Sequence, residues 1–155
     1  VRVAIGSDHA GYALKERVKS ELERLGHEVE DVGTSSGDVS VDYPDFSIAV
    51  GERVASGEAE RGVVMCATGI GASIAANKVS GVRASVVTSE DTARLTRADN
   101  DSNVLALGAK TAPSFEDAMR WLRVWLETPF AGGRHERRVN KIREYEGRSS
   151  RTPTT

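Results

Sequence analysis

Strand-like and helix-like patterns alternate from the first residue to about residue 146, and this alternation constrains the fold more than any other feature of the chain. Val1-Arg2-Val3-Ala4-Ile5 is short and rich in β-branched residues, and Gly6 stops it. Leu14, Val18, Leu22 and Leu25 then recur at spacings of four, four and three, the apolar stripe of a helix that Gly26 ends. Glu28–Val32 predicts a second strand. After a polar loop from Gly33 to Tyr43, Pro44-Asp45 opens a helix with Ile48, Ala49 and Val54 as its apolar positions. Gly62–Cys66 is almost continuously apolar, as strands covered on both faces are, and Thr68-Gly69-Ile70-Gly71 turns from it into a helix over Ala72–Lys78. Val82–Val87 and Val104–Leu107 predict the fourth and fifth strands, separated by a helix that Ser89-Glu90-Asp91 caps and that runs to about Asp99. Ser114 with Asp117 resembles a capping box ahead of Ala118, Trp121, Leu122 and Trp125, and a last helix is expected from His135 to about Glu146.

Five strands separated by helices imply an α/β fold: a five-stranded parallel sheet with right-handed crossovers and helices on both faces, in three layers. The 155 residues amount to one domain, expected over residues 1–147 with the C-terminal helix included, followed by a polar, frayed tail over 148–155. Hydrophobic residues at 39% and charged residues at 28% exclude a disordered chain. Lys and Arg number 21 against 23 Asp and Glu, so bulk charge gives no support to a nucleic-acid partner. A single cysteine excludes an internal disulfide and a Cys-based zinc cluster. The three histidines lack HxxxH or HExxH spacing, so a metal site is not expected. No apolar run approaches the ~20 residues that span a bilayer. Val1 opens a strand pattern rather than a signal peptide, and the expectation is a cytoplasmic protein without a membrane partner.

Parallel sheets of this kind bind ligands at the carboxyl ends of their strands. The loops there hold Ser7-Asp8-His9-Ala10-Gly11, Cys66-Ala67-Thr68-Gly69-Ile70-Gly71 and Gly108-Ala109-Lys110. Asp8-His9 suits acid–base work or a hydroxylated ligand; alternatively Asp8 caps the next helix and His9 is merely exposed. Cys66 lies just ahead of a helix N-terminus, where the dipole favours a thiolate, and Gly69 and Gly71 let backbone N–H groups converge on an oxyanion beside the Thr68 hydroxyl. The alternative for Cys66 is a small buried core residue. A dinucleotide fingerprint fails, because Ile74 stands where its third glycine belongs. Arg134 and Arg138, four apart, either grip a phosphate from two sides or decorate a solvated basic helix, and Lys110 offers a further cation. Trp121 and Trp125 read as core or subunit packing. Together these residues suit proton abstraction beside a carbonyl on a phosphorylated substrate.

From residue 2 to about 143 the chain resembles the B-type ribose-5-phosphate isomerases and their relatives, the galactose-6-phosphate isomerase subunits. The resemblance rests on Gly6-Ser7-Asp8-His9-Ala10-Gly11, Asp42-Tyr43-Pro44, Cys66-Ala67-Thr68-Gly69-Ile70-Gly71, Ile74-Ala75-Ala76-Asn77-Lys78, Asn100-Asp101-Ser102-Asn103-Val104 and Gly132-Gly133-Arg134-His135. It implies a Rossmann-like fold, a homodimer or dimer of dimers with sites across the subunit interface, and cofactor-free interconversion of an aldose phosphate and its ketose through a cis-enediolate. Ribose 5-phosphate and ribulose 5-phosphate are the expected pair. By the same resemblance Cys66 is the base between C2 and C1, Thr68 assists at the oxygens, and N–H groups of the Gly69–Ser73 turn, with Gly71 and Ser73, form the anion hole. Asp8 takes part in ring opening, His9, Arg134 and Arg138 hold the phosphate with Lys110 as a further contact, and Asn100 and Tyr43 touch the sugar. One departure stands out: Asp99 occupies the place of a histidine that acts in ring opening, and neither His27 nor His135 is an obvious replacement in the sequence. Asp99 therefore acts as the base itself, or ring opening is left to solution, or the substitution marks another substrate. A tetrose 4-phosphate, which has no furanose to open, is one alternative, and a non-catalytic phosphosugar-binding module is the other.

Overall fold

In the computed structural model, which describes residues 1–149, five strands form one parallel sheet ordered β2-β1-β3-β5-β4. They are β1 (Arg2–Ser7), β2 (Glu28–Asp31), β3 (Arg61–Cys66), β4 (Ala84–Val86) and β5 (Val104–Gly108). Helices α1 (Tyr12–Arg24), α2 (Tyr43–Ala55), α3 (Ile70–Asn77), α4 (Glu90–Ala98) and α5 (Phe115–Glu127) link and cover them, and α6 (Arg134–Ser149) ends the described chain. The tail expected from residue 148 lies, from residue 150 on, outside the described residues.

The apolar run in β3 makes it the central strand. Its Val63 sits in register with Ile5 of β1 and Leu105 of β5, and all three side chains are fully buried. Alternate residues point to opposite faces. Val3, Ile5, Val63, Met65, Leu105 and Leu107 pack against Leu14, Val18 and Leu22 of α1 and Met119, Leu122 and Trp125 of α5. Ala4, Val64, Cys66, Val104 and Ala106 face α2 and α3 through Val50, Val54, Ala72 and Ala76. The two tryptophans belong to the first of these layers, and Trp125 donates its indole N–H to Ser102 Oγ at 2.9 Å. Ser114 and Ser89 both cap their helices, accepting from Asp117 N at 3.1 Å and Thr92 N at 3.0 Å.

Three local expectations are corrected. Ile48 is exposed; α2 buries Ser47, Val50, Gly51 and Val54 instead, because small residues let it lie close to the sheet and α3. Leu25 forms the exposed C-cap of α1 rather than part of its buried stripe. β4 spans three residues, not six, since it is an edge strand with β5 as its only partner.

The strand order sets the site. From β1 the chain crosses to β2 on one side, and from β3 it crosses to β4 on the other. The β1 and β3 loops therefore diverge and leave a crevice between their carboxyl ends.

Candidate active site

Cys66 closes β3 with its thiol 4% exposed, and the backbone N–H of Gly69 donates to Sγ at 3.1 Å. A thiolate accepts such a bond more strongly than a thiol does. Two residues on, Thr68 Oγ1 accepts from Ile70 N at 3.2 Å, and Ser73 N donates to Gly69 O at 3.0 Å as the first bond of α3. The N–H groups of Gly71 and Ala72 are left without a protein acceptor among the described residues. Two open donors thus sit one turn from the sulfur. Gly69 reaches this geometry with a left-handed φ of 78°, and a Cβ there would lie 2.9 Å from the Leu107 carbonyl carbon. Gly71 meets the Tyr43 ring, to whose Cζ a Cβ would come within 2.5 Å. Tyr43, the first residue of α2, is in this way laid against the turn.

Asp8 and His9 line the other wall. Asp8 is buried, its N–H reaches Met65 O at 3.4 Å, and its Oδ1 accepts from Gly11 N at 2.9 Å, so it shapes the turn ahead of α1 with one oxygen. His9 Nδ1 accepts from Val41 N at 3.1 Å. That bond places the proton of a neutral imidazole on Nε2, making it a donor. The link to Val41 also ties the loop ahead of α2 over the crevice, a contact between distant segments that no periodicity announces. Ser73 is buried behind the turn, and Lys110, exposed, is fixed by its N–H to Ala67 O at 2.8 Å. Asp8, His9, Tyr43, Cys66, Thr68, Gly69, Gly71, Ser73 and Lys110 therefore share one edge.

Asp99, Asn100, Arg134 and Arg138 do not join them. Asp99 is the C-cap of α4 and Asn100 follows it, ahead of β5 and hence at the amino edge of the sheet. Cys66 and the amino edge are separated by the length of β3, about 16 Å at the usual strand rise. The loop holding Asp99 and Asn100 is strongly braced. Asp101 takes a left-handed φ of 49°, accepts from Arg97 Nη1 at 2.8 Å, and offers its carbonyl to Arg83 Nη2 at 2.8 Å. Burial, and behind it the charge of Arg143, pushes the Arg83 guanidinium down from its ordinary value, while Asp101 opposes that shift. Nearby, Ala131 N donates to Ala98 O at 3.0 Å, and His135 Nε2 stands 3.4 Å from Asp99 Oδ1. Arg134 and Arg138 project from the start of α6, both exposed and with no carboxylate partner among the described residues. Likewise, among those residues, no three His, Cys, Asp or Glu side chains are grouped to hold a metal ion, and no helix is long and apolar enough to cross a membrane.

A doubly wound parallel sheet with a thiol, a hydroxyl and open N–H donors at its switch point is the framework of a small α/β enzyme. A family model described as Ribose/Galactose Isomerase matches residues 3–142, and the chain belongs to that family. Ribose-5-phosphate isomerase B of Escherichia coli is 42% identical over 147 residues, covering 95% of this chain and 97% of that protein. The structure of Clostridium thermocellum ribose-5-phosphate isomerase B matches with a TM-score of 0.93 at 48% identity, over 96% of this chain and 99% of that one. Ribose-5-phosphate isomerase B of Mycoplasma genitalium, solved with bound ribulose 5-phosphate, matches with a TM-score of 0.90 at 37% identity, over 94% and 96% of the two chains.

Proposed function

We propose that this protein interconverts ribose 5-phosphate and ribulose 5-phosphate, and that each active site is completed by a second copy of the chain. The observation that carries the chemistry is the Cys66 sulfur held by the Gly69 N–H beside two unused donors. The Cys66 thiolate removes the C2 proton of the open-chain aldose, and the electron pair moves through C1 onto O1. The N–H groups of Gly71 and Ala72 stabilise the enediolate; one such donor is typically worth about 2.7–4 kcal/mol of barrier. Thr68 passes the O2 proton to O1, the Cys66 thiol returns its proton to C1, and a carbonyl is left at C2. In ring opening Asp8, through the carboxylate oxygen not engaged by Gly11, or Asp99 takes the proton of the anomeric hydroxyl, and that proton is returned to the ring oxygen as the C1–O4 bond breaks. The His9 Nε2–H, Arg134 and Arg138 bind the phosphate, with Lys110 at the rim, while Tyr43 and Asn100 contact the sugar hydroxyls. The relatives compared above carry ribose 5-phosphate in their names, which favours the pentose over a tetrose phosphate.

Two features support completion by a second copy as a homodimer. The two sets of site residues lie on opposite edges of one sheet, too far apart to meet in a single chain. Ile70 and Ile74 also stand on one face of α3 beside the turn, 56% and 57% exposed, an apolar strip suited to a subunit contact. Co-expression of a Cys66→Ala chain with an Arg134→Ala/Arg138→Ala chain tests this. Each homodimer is crippled, but each mixed dimer regains one intact site, so about a quarter of wild-type activity is expected from random pairing. Activity no greater than the sum of the two homodimers would refute a shared site.

A further inference from the structure

The first turn of α6, which carries the proposed phosphate arginines, follows two consecutive glycines with left-handed φ, Gly132 at 67° and Gly133 at 56°. Nothing lies within 4 Å of where a Cβ would sit on either. This pair is a swivel: the backbone there is free of side-chain packing and tolerates rotation. What holds the first turn of the helix against the body is short, and one turn further on Val139 is buried and anchors the helix there. Ala131 N bonds Ala98 O at 3.0 Å ahead of the glycines, and after them His135 Nε2 reaches Asp99 Oδ1 at 3.4 Å. The imidazole is 17% exposed while its arginine neighbours are in solvent, so it is turned inward and they are turned out. Further along, Arg143 lies 3.6 Å from Asp101 and Glu146 accepts from Gly81 N, and these fix the far end of the helix.

We infer that His135 is a positioning residue, whose contact with Asp99 locks the α6 swivel and so sets the direction in which Arg134 and Arg138 present their charges to the substrate phosphate. This rests on the reading that those arginines bind phosphate. An imidazole beside a carboxylate forms an ion pair only when it carries its second proton. The lock is therefore made by the charged imidazole and slackens when that proton is lost. The nearest other charged groups along the chain are Arg134, Glu136, Arg137 and Arg138 around His135 on α6, and Arg97 and Asp101 on either side of Asp99. Arg97 is already taken up by Asp101, Ser102 O and Thr128 O. Asp99 thus keeps His135 as its cationic partner among the described residues.

The test compares wild type with His135→Ala for kcat and KM with ribose 5-phosphate, and for competitive inhibition by inorganic phosphate, from pH 6 to 8.5. At pH 6 His135→Ala is expected to raise KM and the phosphate Ki together by roughly 5–10-fold with kcat within about twofold, a loss of ground-state binding. The ratio of the two enzymes' KM values should fall toward about 1 by pH 8.5, since a neutral imidazole forms no ion pair with Asp99. The substrate's own phosphate ionisation, near pH 6, affects both enzymes and cancels in that ratio. A ratio independent of pH would overturn the inference, as would a fall in kcat with KM unchanged, which would assign the pair to proton transfer. Arg134→Ala is the separate check on the underlying reading. An unchanged phosphate Ki there removes the clamp itself, whereas a raised Ki there with none in His135→Ala removes only the lock.

Discussion

Adding one methyl group at Gly71 should damage catalysis while leaving the fold almost untouched. A Cβ at this position would come within 2.5 Å of Tyr43 Cζ and 2.8 Å of its Cε2 and Oη. Non-bonded carbons settle at about 3.5–4.0 Å, so the ring must retreat by on the order of 1 Å. It can do so cheaply, because Tyr43 is 38% exposed and the clash is with the far end of its side chain. Helix α3 gains from losing a glycine, by up to ~1 kcal/mol, and loses some ring contact, so Gly71→Ala should unfold within about 0.5 kcal/mol of wild type in urea. The displaced phenol would then lose the sugar contact proposed for Tyr43. Losing a hydrogen bond of about 0.5–1.5 kcal/mol lowers kcat/KM by roughly 2–12-fold. The assay is ribulose 5-phosphate formation by wild type, Gly71→Ala, Tyr43→Ala and the double variant. If the methyl acts through the ring alone, it costs nothing further once Tyr43 is alanine. A double variant markedly slower than Tyr43→Ala would refute the reasoning and place the damage in the N–H donors of the turn.

Two further outcomes concern stability. Asp101→Ala should be the costliest change in the loop before β5, roughly 3–5 kcal/mol by urea unfolding, because it takes the carboxylate partner from the buried Arg97 guanidinium and forces alanine into a left-handed backbone. Asp101→Asn and Asp101→Gly, which tolerate that backbone, should cost less, and an alanine no worse than either would show that the strain is absent. Glu21 is held down from 4.5 to about 2, chiefly by its hydrogen bond from Arg24 and then by Arg123, against an opposing effect of burial. A depressed carboxylate stabilises the fold fully above about 4.5 and loses that contribution as pH falls toward 2. The difference between wild type and Glu21→Gln, on the order of 1 kcal/mol after solvent screening, should therefore hold from pH 8 to 5 and shrink below. A difference that grows in acid would contradict the assignment.

Much of this could be read from residue order because the relevant physics is local. Period-two and period-3.6 patterns placed all five strands and six helices, and the glycines around Cys66 marked a turn that only such residues allow. What escaped depends on contacts between distant segments. Nothing in the β4 and β5 patterns says that β5 pairs with β3 and leaves β4 at the edge, since right-handed crossovers permit either order. Val50 lies four residues before Val54 and shares its helical face, whereas Ile48, six before it, does not, a spacing that the bulk of Ile48 masked. Ala72, whose open N–H completes the pair of donors, is featureless as a letter in the sequence. The partner of Asp99 was hidden for a similar reason: His135 lies beyond two further elements, and the swivel glycines that bring it round look like an ordinary loop.

The chain contains one cysteine, and that sulfur is the buried one at the end of β3. Every covalent label that a thiol-specific reagent leaves on the protein must therefore sit on the proposed base. Reagent size then becomes a ruler for the crevice: iodoacetamide and a bulky maleimide, compared for rate, report how wide the path to Cys66 stands open. The extent of labelling counts the Cys66 thiols that remain reduced. A preparation can thus be standardised by its reactive sulfur rather than by its mass.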